Sequence, residues 1–183
     1  MQKYLLFVLF ALVLCGCSAK QSALHVEPTK VEILTGDLMH LGESVDKGEA
    51  KMFAYEALLY PQILAQRYGL VYPPTFHNFL INTGFKNRGL CYEWTEDMIT
   101  HLGKQHYQSF DLRWGVANKG EFDEHNTVVV VAKGAPFWSG ILIDPWRNSG
   151  ELYWAKLERD PEYKWVENKQ RSQYYGTIHS SAE

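Results

Sequence analysis

Cys91 is the residue whose type and position most directly indicate chemistry. It lies in residues 88–94 (RGLCYEW), where a glycine followed by helical spacing of apolar residues predicts the first turn of a helix. A helix start presents unpaired backbone N–H groups and the positive end of the helix dipole, and both favour a thiolate. Because the thiolate is the nucleophilic form of cysteine, Cys91 is the candidate nucleophile.

Three carboxylates follow Cys91 closely on the same predicted helix: Glu93, Glu96 and Asp97. They disfavour a second negative charge on the sulfur unless a nearby cation offsets them. Arg88, or a histidinium, is the group we expect to do so.

His125 is the candidate general base, and Asp144 is the residue expected to orient it. His125 opens the buried-type strand sequence HNTVVVV, and Asp144 ends the next one, ILID. A hairpin that turns within residues 133–136 places the two side chains directly opposite each other. A longer loop makes the pair diagonal, with about 7–8 Å between the backbones and contact still possible between the side chains. Asp144 would then fix the imidazole tautomer and stabilise the imidazolium.

Other residues are weaker candidates for the same roles. His101 lies nearly three turns along the predicted helix from Cys91, and His106 lies just past its end. The backbone N–H of Cys91 is a natural oxyanion donor, and Asn82 or Asn87 could supply a second one. Trp94, Trp138 and Trp146 could line a cleft, although Trp94 is better suited to the core. We expect no metal and no cofactor, since the sequence lacks a paired-histidine motif, a CxxC motif and a phosphate-binding loop.

The elements that must position these residues change type along the chain. A capping box at Asp46 and Glu49 opens a helical pattern that ends at Gly69, with either a kink or a second helix at Pro61. Further helices are predicted over residues 75–83 and 90–102. Strands are predicted over residues 109–116, 127–132, 140–144 and 151–156. Helices followed by strands predict an α+β domain with the N-terminal helices packed on one antiparallel sheet. Residues 170–183 are polar and predicted to fray.

Composition sets limits on the class of protein. The chain has 183 residues, of which 46% are apolar, 14% aromatic and 21% charged, and its net charge is −3. These values exclude disordered and low-complexity classes and fit a single globular domain. A mildly acidic chain also argues against a nucleic-acid partner, which requires a basic face.

The N-terminus indicates export. Met1-Gln2-Lys3 precedes an apolar run from Tyr4 to Leu14 that is far shorter than the about 20 residues of a membrane span. The next residues, Leu14-Cys15-Gly16-Cys17, resemble the lipobox of bacterial lipoproteins. The resemblance implies a signal peptide over residues 1–16, lipidation of Cys17 by palmitate-type acyl chains, a tether over residues 17–28 and a single domain over residues 29–183. Ser18 resembles the second residue of lipoproteins sorted to the outer membrane, which implies a domain facing the periplasm.

The lipobox changes how the cysteines are counted. Cys15 would leave with the signal peptide and Cys17 would be blocked by lipid, so Cys91 would be the one free thiol of the mature chain. An unpaired thiol in an oxidising compartment is either buried and inert or a nucleophile.

The order of Cys91 at a helix start, His125 at a strand start and Asp144 on the neighbouring strand resembles the transglutaminase-like (papain-like) cysteine peptidase superfamily. The resemblance spans residues 82–146 and implies that fold, with Cys91 as nucleophile, His125 as general base and acid, and Asp144 as the orienting carboxylate. NlpC-type and CHAP cell-wall amidases, which also place cysteine at a helix start, are the enzymatic alternative.

The expected function is that of a thiol hydrolase or acyltransferase acting on amide bonds of a protein or of peptidoglycan peptides. Water is the expected acceptor, since most bacterial relatives of this type are regarded as hydrolases. The expected location is the cell envelope, at the membrane through the N-terminal lipid. The alternative is a non-catalytic lipoprotein that uses the same fold for binding or assembly, with Cys91 as a small buried apolar residue.

Overall fold

The computed structural model describes residues 23–180, with side chains described to residue 176. Within this range the chain forms five α-helices and five β-strands. The helices are α1 (Pro28–Met39), α2 (Lys47–Tyr68), α3 (Pro74–Asn82), α4 (Cys91–Gly103) and α5 (Lys169–Ser180). The strands are β1 (Phe110–Ala117), β2 (His125–Ala132), β3 (Ile141–Asn148), β4 (Glu151–Lys156) and β5 (Val166–Glu167). The predicted α+β class, with N-terminal helices preceding an antiparallel sheet, is confirmed.

Helix α2 begins as predicted and runs through its proline without a break. The side chain of Asp46 accepts a hydrogen bond from the Glu49 N–H at 2.9 Å. The second half of the capping box does not form, because the Glu49 carboxylate instead accepts the backbone N–H groups of Gln108 and Ser109. The helix is continuous past Pro61 and ends at Gly69, whose φ of 55° suits glycine.

The sheet has the order β4-β3-β2-β1-β5, which places β2 at its centre. Every residue of β2 is buried, so both faces of this strand are covered. Val128 and Val130 face the main core that the helices share with the sheet. Val129 and Val131 face a smaller cluster on the opposite side. Residues at the start of β2 are therefore held between two packed layers.

Both ends of the described range differ from expectation. Residues 170–183 were expected to fray, yet α5 is helical and packs on the sheet, with Ser172 and Tyr175 buried. The polar sequence did not predict this helix, because α5 packs on the sheet through only a few buried side chains. Helix α1 lies in a region for which no element is predicted.

The predicted signal peptide and Cys17 lie outside the described residues, as does the first half of the tether, residues 17–22. The tether's last part is docked, since the backbone of His25 exchanges two hydrogen bonds with the Gln62 side chain in α2. Within residues 23–180, no helix combines the length and the apolar character needed to cross a membrane.

Candidate active site

His125 and Asp144 meet across the hairpin formed by β2 and β3. Val128 pairs with Ile143, a register that places Asp144 diagonally from His125 on the same face of the sheet. His125 Nε2 and Asp144 Oδ2 are 2.7 Å apart, and the two residues are 2% and 0% exposed. The longer loop, one of the two predicted geometries, is therefore the one observed.

Cys91 is the first residue of α4, and its sulfur lies at the start of β2. Its Sγ donates to the Glu124 carbonyl oxygen at 3.6 Å, and its interaction with His125 is one of the causes that raise the pKa of that imidazole. Because Asp144 occupies Nε2, Nδ1 is the ring nitrogen left to face the sulfur. Cys91 is partly exposed, so a reagent can reach a thiol whose two partners are buried.

The charges of this cluster reinforce each other. Burial of the ring opposes the imidazolium, but the charge and hydrogen bond of Asp144, together with Cys91, raise the pKa of His125 to about 9. Burial likewise opposes ionisation of Asp144. The pKa of its carboxyl is nevertheless below the usual value, because His125 and Arg147 attract its negative charge and form hydrogen bonds with it. The pair is therefore imidazolium and carboxylate at neutral pH.

Asp144 is itself anchored by residues that the sequence analysis missed. Its Oδ1 accepts the backbone N–H groups of Trp146 and Arg147, and its Oδ2 accepts Arg147 Nε at 3.1 Å. The guanidinium of Arg147 also donates hydrogen bonds to both carboxylate oxygens of Asp160, at 3.1 and 2.8 Å. The signal available in the sequence was the spacing Asp-x-x-Arg at residues 144–147. An aspartate at the start of a turn commonly accepts the backbone N–H of the residue two positions later.

Three aromatic rings surround the imidazole of His125. Trp146, Tyr163 and Trp165 have ring centroids 4.9, 4.8 and 5.4 Å from it. Trp146 was a predicted cleft residue, whereas Tyr163 and Trp165 come from a segment with no predicted element. These rings shield the His125–Asp144 pair from water, which strengthens its electrostatic attraction.

The other two tryptophans predicted as possible cleft residues lie elsewhere. Trp94 is fully buried in the main core, which confirms the preferred interpretation. Trp138 is exposed in the turn that joins β2 to β3. That turn is at the opposite end of β2 from His125, so Trp138 does not line this site.

The start of α4 is fixed by a glycine that cannot be replaced easily. Gly89 has a φ of 129°, and a Cβ there would lie 2.5 Å from Nε2 of the buried His77. That Nε2 donates to the Arg88 carbonyl oxygen at 3.0 Å while Nδ1 accepts the Val71 N–H. The Glu93 carboxylate accepts the N–H groups of Gly89 and Leu90, which pins the turn immediately before Cys91.

Arg88 offsets the acidic side chains of α4, as the sequence analysis required. Its guanidinium donates to both oxygens of Asp97 and to Glu96, and it lies 3.7 Å from Glu93. The negative charges nearest to Cys91 along the helix are therefore paired with a cation.

The other histidines and asparagines that were predicted as candidates for the base and the oxyanion donor have other contacts or are exposed. His101 Nε2 bonds to Glu56 at 2.8 Å and its ring stacks on Tyr60, so it belongs to the contact between α4 and α2. His106 is exposed in the turn that follows α4. Asn82 and Asn87 are also exposed. The amide that contacts the sulfur is that of Asn126, whose Nδ2 lies 3.9 Å from Cys91 Sγ.

Comparison with known proteins gives no match: no family model fits the chain, and neither a curated protein nor a solved structure matches it. The site must therefore be interpreted from its geometry. In the described part of the chain, no group of histidine, cysteine and acidic side chains is arranged to hold a metal ion. What the geometry presents is a reachable thiol beside a buried imidazole, which is in turn bound to a buried carboxylate.

Proposed function

We propose that this chain is a thiol hydrolase or acyltransferase of transglutaminase-like fold that acts on amide bonds. The observation that carries the proposal is the ordered contact of Cys91, His125 and Asp144. The sulfur is partly exposed, whereas the imidazole and the carboxylate are buried and 2.7 Å apart. A nucleophile, a base and a group that orients the base are the parts that covalent acyl transfer needs.

The reaction begins with the proton of the Cys91 thiol. That proton is held on His125 as an imidazolium, which the charge of Asp144 stabilises. The thiolate then attacks the carbonyl carbon of an amide, forming a C–S bond while the carbonyl electron pair moves to oxygen. Collapse of this intermediate breaks the C–N bond, and His125 gives its proton to the departing amine. A thioester on Cys91 remains.

Water completes the cycle. His125, now neutral, takes a proton from a water molecule that attacks the thioester carbonyl. The acid product leaves and the Cys91 thiol is restored. Transfer to an amine would follow the same path, with the amine in place of water.

The substrate class and the location rest on the N-terminal sequence. A chain lipidated at Cys17 would be held on a membrane by acyl chains and not by a helix. Sorting to the outer membrane would place the domain in the periplasm, among proteins and the peptide stems of peptidoglycan. These are the amide substrates that we propose.

The alternative, a non-catalytic binding or assembly module, requires another reason for an unpaired cysteine. Burial would be such a reason, because a buried thiol is inert, but Cys91 is partly exposed. The three charges gathered at His125, Asp144 and Arg147 are also costly to bury, and activation of a thiol gives them a role that a binding module does not. These two observations favour the enzyme.

The test is to incubate the full-length lipidated chain with peptidoglycan fragments and with an unfolded protein in water enriched in ¹⁸O. We expect wild type to release new amines, and mass spectrometry to find ¹⁸O in the new carboxylates. Cys91→Ser is the inactive control, since an alcohol is a much weaker nucleophile here. Equal product from both proteins would overturn the proposal, and amines released without ¹⁸O in an acid would indicate transfer to an amine.

A further inference from the structure

We propose that the side-chain amide of Asn126 is the second oxyanion donor of this site, paired with the backbone N–H of Cys91. The assignment rests on the proposed function and adds to it a residue that contacts the reacting atoms. It replaces Asn82 and Asn87, both of which are exposed. Three independent contacts of the Asn126 side chain carry it.

The first contact fixes which way the amide points. Trp114 Nε1 donates to Asn126 Oδ1 at 2.7 Å, and both side chains are buried. An indole N–H can only donate, so the oxygen of the amide must face Trp114. The NH₂ group therefore faces the other way, toward Cys91.

The other two contacts account for the hydrogens of this NH₂ group. Nδ2 donates to Glu124 Oε1 at 3.1 Å, and it lies 3.9 Å from Cys91 Sγ. The Glu124 carboxyl has a lowered pKa because it accepts Gly120 N–H and Asn126 Nδ2–H, so it is an ionised acceptor. One amide hydrogen is thus held by Glu124 while the other is directed at the space beside the sulfur.

The backbone N–H of Cys91, which belongs to the residue that carries the sulfur, is the other donor of this pair. The first N–H groups of α4 that bond back to the preceding turn are those of Glu93 and Trp94, both to the Leu90 carbonyl oxygen. The N–H of Cys91 precedes them and has no acceptor within the helix. When the thiolate adds to a carbonyl, the oxygen gains the electron pair of the broken π bond. The Cys91 N–H and the Asn126 Nδ2–H then bind the O⁻.

Trp114 is a positioning residue, and the C-terminal helix holds it in place. Its backbone N–H donates to Ser172 Oγ at 2.9 Å, the guanidinium of Arg171 lies 4.4 Å from its ring, and Tyr175 stacks on it. This gives α5 a purpose that its polar sequence did not indicate. By fixing Trp114, α5 fixes the orientation of the Asn126 amide.

The experiment compares two reactions of Cys91 that differ in whether an oxyanion forms. Alkylation by iodoacetamide displaces iodide and forms no oxyanion, whereas acylation by p-nitrophenyl acetate passes through a tetrahedral one. Both rates are measured on the full chain across pH, and the plateau values at high pH are compared, so that changes in thiolate population cancel. We expect Asn126→Ala to lower acylation about 100-fold and to leave alkylation within about twofold.

Two further variants keep the test decisive. Asn126→Ser removes the amide but keeps a hydroxyl and adds no charge beside Glu124, so it is the variant expected to fold, and it too should lower the ratio of acylation to alkylation. Asn78→Ala is the matched control, because Asn78 also accepts an indole N–H, from Trp146 at 3.3 Å, without contacting the sulfur. Its ratio should equal that of wild type.

The outcomes separate this assignment from the proposed function. A wild-type ratio in either Asn126 variant overturns the assignment alone, provided that wild-type Cys91 is acylated. Equal losses in both reactions of Asn126→Ser would also overturn it, since they would show an effect on the thiolate. If wild type is acylated no faster than Cys91→Ser, the proposed function and this assignment fail together.

Discussion

His125 and Asp144 are joined by a 2.7 Å hydrogen bond that crosses from β2 to β3 inside the protein. The same carboxylate oxygen also accepts Arg147 Nε at 3.1 Å, so one anion is shared by two cations. Arg147 is in turn balanced by Asp160. The imidazole of His125 is therefore the end of a chain of alternating charges, and removal of any member deprives its neighbour of a charge partner.

Asp144→Asn tests the anion at the centre of this chain. The amide keeps the shape of the side chain but leaves the charges of His125 and Arg147 without their shared partner. We expect a loss of about 3–5 kcal/mol in the free energy of unfolding, measured by urea denaturation. Asp123→Asn, at an exposed position, is the control and should change it by no more than about 0.5 kcal/mol. Equal midpoints for the two variants would contradict the buried charge chain.

The raised pKa of His125 predicts how stability depends on pH. The folded protein holds the imidazolium up to a pKa of about 9, against about 6.5 in an unfolded chain. Because the folded pKa is the higher one, the stabilisation is complete below pH 6.5 and is lost as pH rises through 9. The difference in unfolding free energy between wild type and His125→Gln should shrink by up to roughly 3 kcal/mol over this window. A difference that stays constant or grows would refute the ion pair.

Arg147→Met tests the cation that holds Asp144. The arginine side chain is 10% exposed and bonds to two carboxylates, so its loss leaves Asp160 without its main partner. We expect a cost of about 3–5 kcal/mol. Arg113→Met is the matched control, because Arg113 pairs with Asp111 at a more exposed site where such a pair contributes about 1 kcal/mol or less. Similar losses in the two variants, measured by urea denaturation, would show that Arg147 has no special role.

Two glycines that precede α4 provide a paired test of how Cys91 is positioned. Gly84 has a φ of 81° with open space around it, whereas Gly89 has a φ of 129° and His77 where a Cβ would be. Gly84→Ala should therefore cost only the strain of the backbone, about 1–2 kcal/mol. Gly89→Ala should cost more and should also slow alkylation of Cys91, since the helix start must move. Thermal denaturation measures the stability of each variant, and the rate of thiol labelling measures the position of Cys91. If Gly84→Ala and Gly89→Ala changed each measurement equally, the positioning role of Gly89 would be contradicted.

The sequence predicted the α+β class and the central hairpin because both depend on local patterns. The apolar run of β2 and the turn after it were sufficient to predict that His125 lies within reach of Asp144. Register was the part left open, because a change of two residues in the loop preserves the face on which each side chain lies.

The residues that surround the triad could not be predicted, because their contacts join distant parts of the chain. Asp160, Tyr163 and Trp165 meet His125 and Arg147 through an irregular segment that no periodicity reveals. Asn126 looked like an ordinary polar residue at a strand start, and its role depends on Trp114 and on α5. Helix α5 itself lacks an apolar stripe, so its packing had no signal in the pattern.

The most direct test of the account is the rate at which iodoacetamide alkylates Cys91 in the folded protein at neutral pH, with the modified site assigned by peptide mass spectrometry. We expect rapid labelling of wild type without denaturant, and a rate at least about tenfold lower in His125→Ala, because the imidazole that withdraws the thiol proton is gone. Labelling of Cys91 only after unfolding, or equal rates in the two proteins, would contradict a thiol activated by His125 and Asp144.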